Sequence, residues 1–438
     1  MKRILAALTM LSLLAGCGVL GGRRPTTPTV GTRVPVLTSE GQVEVDPALA
    51  DLPVQVPQAV TNSEWPQPGG NPAHAMIHVS LGATPTQAWS VSIGQGSSNR
   101  GRLAAEPVVA DGRVYTIDTS ATVRAFNADT GATIWEHQVR GENSPRETLF
   151  GGGVSYDAGR VYATNGAGDV AALDAATGNR AWIVKPGGPL RGAPTIAGEN
   201  VYVVSHDNQL YALNSANGEQ RWTGSGSFEL AGVFGAAAPA FAQSTLVAGF
   251  SSGELSAHRY ENGQVVWQDA LTRTGVSTVV GTISDIDADP VIDNGRVFAV
   301  GQGGRMVAVE LVTGQRAWEL NIAGISTPWV AGEWVFVVTD QAKVLAVARA
   351  SGRIRWIAQL PRYRNEERRR GAIFWRGPVL AGNRLVLVSS LGQMAYVNPA
   401  DGTIQSTVET RAPMSLPPVV ANNTLYLLDD AGRLTAYR

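Results

Sequence analysis

A glycine followed four residues later by a tryptophan recurs down this chain, and that spacing constrains the fold more than any other feature. The pairs are Gly131 and Trp135, Gly178 and Trp182, Gly218 and Trp222, Gly263 and Trp267, Gly314 and Trp318, and Gly352 and Trp356. Gly402 keeps the register but has Ser406 in the tryptophan position. Ahead of each glycine runs a short alternating stretch, such as "TVRAFNADTG", "QLYALNSANG" and "QMAYVNPADG". Self-similarity with a period of about 40 to 50 residues marks stacked or radial repeats.

Each repeat reads as four short strands. In the first, "PVVA" and "RVYTI" are joined by the hairpin pair Asp111-Gly112, and "TVRAFN" and "ATIWEHQV" follow. A proline precedes the first strand in most repeats: Pro107, Pro194, Pro239, Pro290, Pro328, Pro378 and Pro418. Proline has no N–H to give to a ladder, so it suits the start of a strand. The second repeat departs, with Gly153 near that place. Second strands open at Val114, Val161, Val201, Leu246, Val297, Val335, Leu385 and Leu425, which counts eight units. The last unit stops after three strands, and "QAWSVSI", with Trp89, stands orphaned ahead of the first. Pairing the orphan with the last unit closes a ring. The expectation is an all-β, eight-bladed β-propeller of four-stranded blades, closed by that N-terminal strand. Closure protects edges that an open solenoid would leave unpaired. The tryptophans, Trp89 included, are expected to pack between blades.

The N-terminus carries the compartment signal. Lys2-Arg3 followed by the apolar run Ile4 to Leu14 reads as a secretory signal. It ends in Leu14-Ala15-Gly16-Cys17, which resembles the lipobox of bacterial lipoproteins. That resemblance implies loss of residues 1–16 and lipid on Cys17. Gly18, where an Asp would retain some lipoproteins at the inner membrane, favours the outer membrane. Multiple acyl chains anchor stably where one does not. Residues 17–60 are rich in Pro, Thr and Gly and read as a tether, leaving 61–438 for the propeller. The formal charge is −1, or −3 without Lys2 and Arg3, and no basic stripe suits nucleic acid. Cys17 is the only cysteine, so no intramolecular disulfide is possible.

Residues that carry chemistry are sparse. Asp285-Ile286-Asp287-Ala288-Asp289 is a carboxylate cluster, but Pro290 and Arg296 stand where a calcium loop needs Gly and Glu. His74 and His78 are spaced i,i+4 in a Gly/Pro-rich segment and read as surface or packing residues. No phosphate-binding loop or serine nucleophile elbow appears. The expectation is no catalytic residue, no metal and no cofactor.

The repeat is similar to that of quinoprotein dehydrogenases. Their alcohol dehydrogenases typically set a disulfide of adjacent cysteines over a quinone, with calcium beside it, and a chain with one cysteine cannot build that disulfide. Lipobox, tether, eight-bladed ring and missing cysteines together resemble the BamB family of outer-membrane lipoproteins, over nearly the whole chain from Cys17. The resemblance implies a non-enzymatic scaffold, lipid-anchored at the periplasmic face of the outer membrane. It would dock the periplasmic repeats of BamA, support β-barrel insertion and meet unfolded outer-membrane clients.

Two long interblade links carry the family's partner-binding pattern. The distance from Trp222 to Pro239 is 17 residues and from Trp267 to Pro290 is 23, against 10 from Trp318 to Pro328. Ser284, Asp285, Ile286, Asp287 and Pro290 match the family's Ser-Asp-Val-Asp-x-x-Pro. Leu230 and Gly232 match its Leu-Arg-Gly element, with Ala231 in place of the Arg. Leu230, Gly232, Asp285, Ile286 and Asp287 are therefore the implied docking residues. A third long link, "PRYRNEERRRGAIFWRG", reads as a solvated charge run or, with Trp375, as a second contact point. A quinone-dependent dehydrogenase and a generic periplasmic ligand-binding propeller remain as alternatives.

Overall fold

The computed structural model describes residues 43–228, 235, 237–271, 284–410 and 412–438. They form eight four-stranded antiparallel sheets, seven of them in sequence order from the inner strand outward, and one two-stranded hairpin. In blade one the strands are Val108–Ala110, Arg113–Ile117, Thr122–Asn127 and Thr133–Gln138. The ring closes as expected: Gln87–Ser92 pairs antiparallel with Arg433–Tyr437, with Trp89 opposite Ala436 and Val91 opposite Leu434. Asp111 and Gly112 both have positive φ, 50° and 67°, as the tight hairpin turn requires.

Second and third strands are buried on both faces by the flanking blades. Asn200–Val204 is buried throughout, which is why such strands read as continuous apolar runs. Fourth strands face solvent on one side and alternate, with the tryptophan as their buried residue.

The glycine–tryptophan spacing has a specific cause. In seven blades the fourth-strand indole lies against the repeat glycine of the next blade. A Cβ at Gly131, Gly178, Gly218, Gly263, Gly314, Gly352 or Gly402 would come within 2.5–2.8 Å of Trp89, Trp135, Trp182, Trp222, Trp267, Trp318 or Trp356, respectively. Each indole Nε1 also donates to the carbonyl three residues before that glycine. The series runs from Trp89 to Ala128 at 3.0 Å round to Trp356 to Pro399 at 2.9 Å. The glycines have φ of 71° to 79°, so they meet a conformational and a steric need together. Trp182 is the half-buried member of the set; the other six are 9% exposed or less. Ser406 breaks the series, and its strand Ile404–Glu409 is exposed along its length. The seam from blade seven to blade eight instead relies on apolar packing, with Met394, Tyr396, Leu416 and Tyr426 in one core cluster.

The compact unit starts at Val43, earlier than the composition-based boundary at 61. Asp46 donates its backbone N–H to the Ile354 carbonyl at 2.8 Å, Arg355 Nε donates to the Leu52 carbonyl at 2.8 Å, and Val54 is buried. Polar composition hides this attachment, which combines backbone hydrogen bonds with the buried Val54.

Residues 62–80 form a strap that visits the inner strand of every blade in turn. Asn62 bonds Val420 and Asn422 of blade eight, and Trp65 exchanges two backbone hydrogen bonds with Val109 of blade one. The Pro66 carbonyl accepts from Tyr156 of blade two, and the Gln67 amide bonds both backbone groups of Ile196 in blade three, each at 2.9 Å. Pro72 and Ala73 carbonyls accept from Phe241 of blade four and Ile292 of blade five. The Ile77 carbonyl takes the Trp329 indole of blade six, and Val79 bridges Ala381 of blade seven. Inner strands carry an open edge toward the central channel, and buried backbone groups need partners. The strap supplies them and gives the channel a floor.

Candidate functional site

Strand direction sorts the residues around the channel. Interblade links enter at the start of each first strand, and the strap crosses near the other end. Between them lies a cavity of about 550 Å³. Trp65 and His74 rise from the strap; Glu106, Asp287, Asp289 and Arg376 come from the link side. Trp65 stacks on Trp329 with ring centroids 6.1 Å apart.

The two long links meet over this cavity. A Cβ on Gly235 of the first would lie 3.4 Å from Asp287 Oδ1 of the second. Ala238 N–H donates to Asp289 Oδ1 at 2.7 Å, and Thr327 of the following link donates to Asp289 Oδ2 at 3.3 Å. Asp289 thus ties three successive links together. Leu230 and Gly232 lie outside the described residues, as does Cys17.

The expected docking triplet divides. Ile286 is 2% exposed, sits in a blade core cluster and would touch any side chain placed at Gly249. Asp285 is 1% exposed, and its carbonyl accepts from Gln302 N–H at 2.8 Å. These two anchor the link rather than present a surface. Asp287 is the partly exposed member and lines the cavity.

Burial sets the electrostatics. Asp287 is pushed up to about 7 by desolvation and then by the neighbouring charge of Asp285, against the pull of Arg376. Asp289 is raised to about 7 by desolvation, which outweighs its hydrogen bonds from Ala238 and Thr327. Glu106 rises to about 7 for the same first reason, reinforced by Asp289. His74 is lowered to about 4 by burial. Its Nδ1 lies 2.7 Å from the Pro290 carbonyl, which can only accept, so Nδ1 carries the proton and Nε2 holds a lone pair. His78 is also a packing residue, with Nδ1 2.6 Å from the Pro57 carbonyl and Nε2 accepting from Asn383 N–H.

The third long link is a hairpin, Tyr363–Asn365 paired with Arg370–Ala372. Trp375 is not its contact residue: it is 4% exposed, and its indole donates to the Pro361 carbonyl. Phe374 is the exposed aromatic there, at 56%. Sequence reasoning missed Glu106, Arg376 and the strap. The signal for the strap was a lone Trp in a Pro/Gly-rich run, "NSEWPQPGGNPAHAMIHVS".

Comparison with known proteins fits this architecture. The family model "Outer membrane protein assembly factor BamB" matches residues 77–148 and 119–358. The chain is 31% identical to the outer membrane protein assembly factor BamB of Escherichia coli (strain K12) over 322 residues, 73% of this chain and 80% of that one. Identity to the Yersinia pestis protein of the same name is 27% over 360 residues, 81% of this chain and 89% of that one. Among solved structures, BamB from Moraxella catarrhalis superposes with a TM-score of 0.68 at 20% identity, covering 81% of this chain and all of that one. The quinohemoprotein alcohol dehydrogenase of Comamonas testosteroni shares the fold, with a TM-score of 0.66 at 14% identity over 86% of this chain and 81% of that one. With a family model spanning well over half its length and relatives above 30% identity, this chain belongs to the BamB family of outer membrane protein assembly factors.

Proposed function

We propose that this chain is a non-enzymatic scaffold of the outer-membrane β-barrel assembly machinery, held at the periplasmic face by lipid on Cys17. It docks the periplasmic repeats of BamA through the face that carries the long interblade links. The observation that supports this most is the meeting of the two links, with Gly235 beside Asp287 and Ala238 bonded to Asp289. Described residues of both links thus lie side by side. Asp287 is the side chain that offers charge to a partner, Asp285 and Ile286 hold its link in place, and Leu230 and Gly232 are proposed to join in docking on the strength of the family pattern alone. Asp287 is partly exposed, and desolvation outweighs the pull of Arg376 on its carboxylate, so a partner cation would supply the missing compensation.

The experiment is recovery of BamA with the tagged chain from detergent-solubilised membranes. Wild type should retain BamA. The Cys17→Ser variant should leave the membrane fraction as a folded propeller and, in solution, still bind the periplasmic repeats. Recovery of the wild-type chain from membranes without BamA would defeat the scaffold reading.

A further inference from the structure

The floor of the central cavity holds two buried polar atoms without a partner, and both belong to residues that line it. Trp65 Nε1 and His74 Nε2 make no hydrogen bond, and each residue is 2% exposed. Their chemistry is defined. The indole N–H can only donate, so it needs an acceptor. His74 Nε2 holds a lone pair because Nδ1 is committed to the Pro290 carbonyl, so it needs a donor. An unsatisfied buried polar atom costs about 1–3 kcal/mol, so such a pair is expected to face something that satisfies it.

The walls carry more acid than base, with Glu106, Asp287, Asp289 and Asp430 against Arg102 and Arg376. Glu106 Oε1 accepts from Gly69 N–H at 3.2 Å, which sets the carboxylate over the strap. The influences on Asp289 are burial and the hydrogen bonds from Ala238 and Thr327. Arg376, the deep cation of the wall, acts on Asp287 and Asp430 and donates to the Ile325 carbonyl. Gly69 keeps the floor open: a Cβ there would come within 2.7 Å of His74 Cβ. The volume, about 550 Å³, is that of a small-molecule site.

We propose that this cavity binds a primary ammonium group, which donates to His74 Nε2 and pairs with Glu106 and Asp289 while an oxygen of the same ligand accepts from Trp65 Nε1. A small amino alcohol or amino-acid amide has this chemistry, and so does the amino terminus of an extended peptide. The site is independent of the docking reading, since neither Trp65, His74, Glu106 nor Asp289 is asked to touch BamA.

Binding carries a proton signature. Glu106 and Asp289 ionise near pH 7 in the free protein, and an adjacent ammonium lowers that point, so binding at pH 7 releases protons. Asp287, Asp430, Arg102 and Arg376 face the same space and are unchanged throughout the comparison below, and His74 is unchanged in the Glu106 variant.

The test is calorimetric titration of the full mature chain in detergent at pH 7, in two buffers of different ionisation enthalpy. The probes are ethanolamine, trialanine amide and N-acetyl-trialanine amide. Binding of an amine probe with proton release, absent for the acetylated peptide, is the expected result. Glu106→Gln keeps size and shape; it should weaken the amine probe at least tenfold and reduce proton release, with the melting temperature retained. His74→Gln, which offers a carbonyl acceptor, should retain more affinity than His74→Leu. Ethanolamine binding alone identifies a small-molecule site; tripeptide binding alone identifies a peptide terminus. No heat from either amine at millimolar concentration, or affinity unchanged in Glu106→Gln, overturns the proposal and leaves a water-filled cavity.

Discussion

The indole of Trp89 lies against Gly131, the first residue of the repeat pattern to be met by a neighbouring blade. A Cβ at Gly131 would stand 2.7 Å from the indole, whose Nε1 donates to Ala128 at 3.0 Å. Trp89 sits on the strand that completes blade eight, and Gly131 belongs to blade one. This contact is therefore where the two ends of the ring are clasped.

Gly131→Ala should destabilise the ring by about 1–3 kcal/mol from overpacking, with about 1–2 kcal/mol more from a left-handed backbone. Gly112→Ala isolates the second effect, because Gly112 has φ 67° but nothing within 4 Å of a Cβ. Trp135→Ala should cost about 3–5 kcal/mol, and the half-buried Trp182 less. Denaturant midpoints of the four variants rank them. Equal midpoints for Gly131→Ala and Gly112→Ala would show that the indole contact contributes nothing.

Gln67 is 2% exposed and satisfies both backbone groups of Ile196. Gln67→Leu keeps the volume but leaves that N–H and carbonyl unpaired, at a cost of about 1–3 kcal/mol each. Hydrogen exchange at Ile196 should accelerate in this variant before the outer strands change. Unaltered protection at Ile196 would mean that the strap rests on the ring without holding it.

The cavity acids make stability depend on pH in a definite direction. Glu106, Asp287 and Asp289 have folded values near 7, above their usual 4.5 or 3.8. Between the unfolded and folded values the native state holds more protons, so stability falls as pH rises from about 4 to 7 and levels above that. His74, lowered to about 4, acts oppositely below pH 6.5, where acid favours the unfolded chain. Asp289→Asn should flatten the decline between pH 5 and 7. A slope unchanged from wild type would place the titration elsewhere.

The ring was legible in the sequence because its repeat reports a contact between blades. Gly-x-x-x-Trp is two halves of two adjacent clasps, so even the lost tryptophan at Ser406 could be placed. The second-strand start counted at Val161 falls one residue inside the observed one at Arg160, where the strand's first residue is polar. The site was less legible. The Asp285–Asp287 motif indicated the right link, but spacing alone does not say which side chains turn inward. The alternative reading that made Trp375 a contact point rested on the charge around it, while its own side chain is core. The strap was invisible to periodicity because it forms no ladder and meets each blade at only one or two points.

The central claim is docking through Asp287 on the link face. Its most direct measurement is the affinity of the soluble propeller for the periplasmic repeats of BamA, for wild type, Asp287→Ala and Arg369→Glu, at low and high salt. Asp287→Ala should weaken binding at least tenfold, about 1.4 kcal/mol, and reduce its salt dependence without lowering the melting temperature. Arg369→Glu, on the exposed hairpin, should leave affinity unchanged. Unaltered affinity for Asp287→Ala at both salt concentrations would contradict the account.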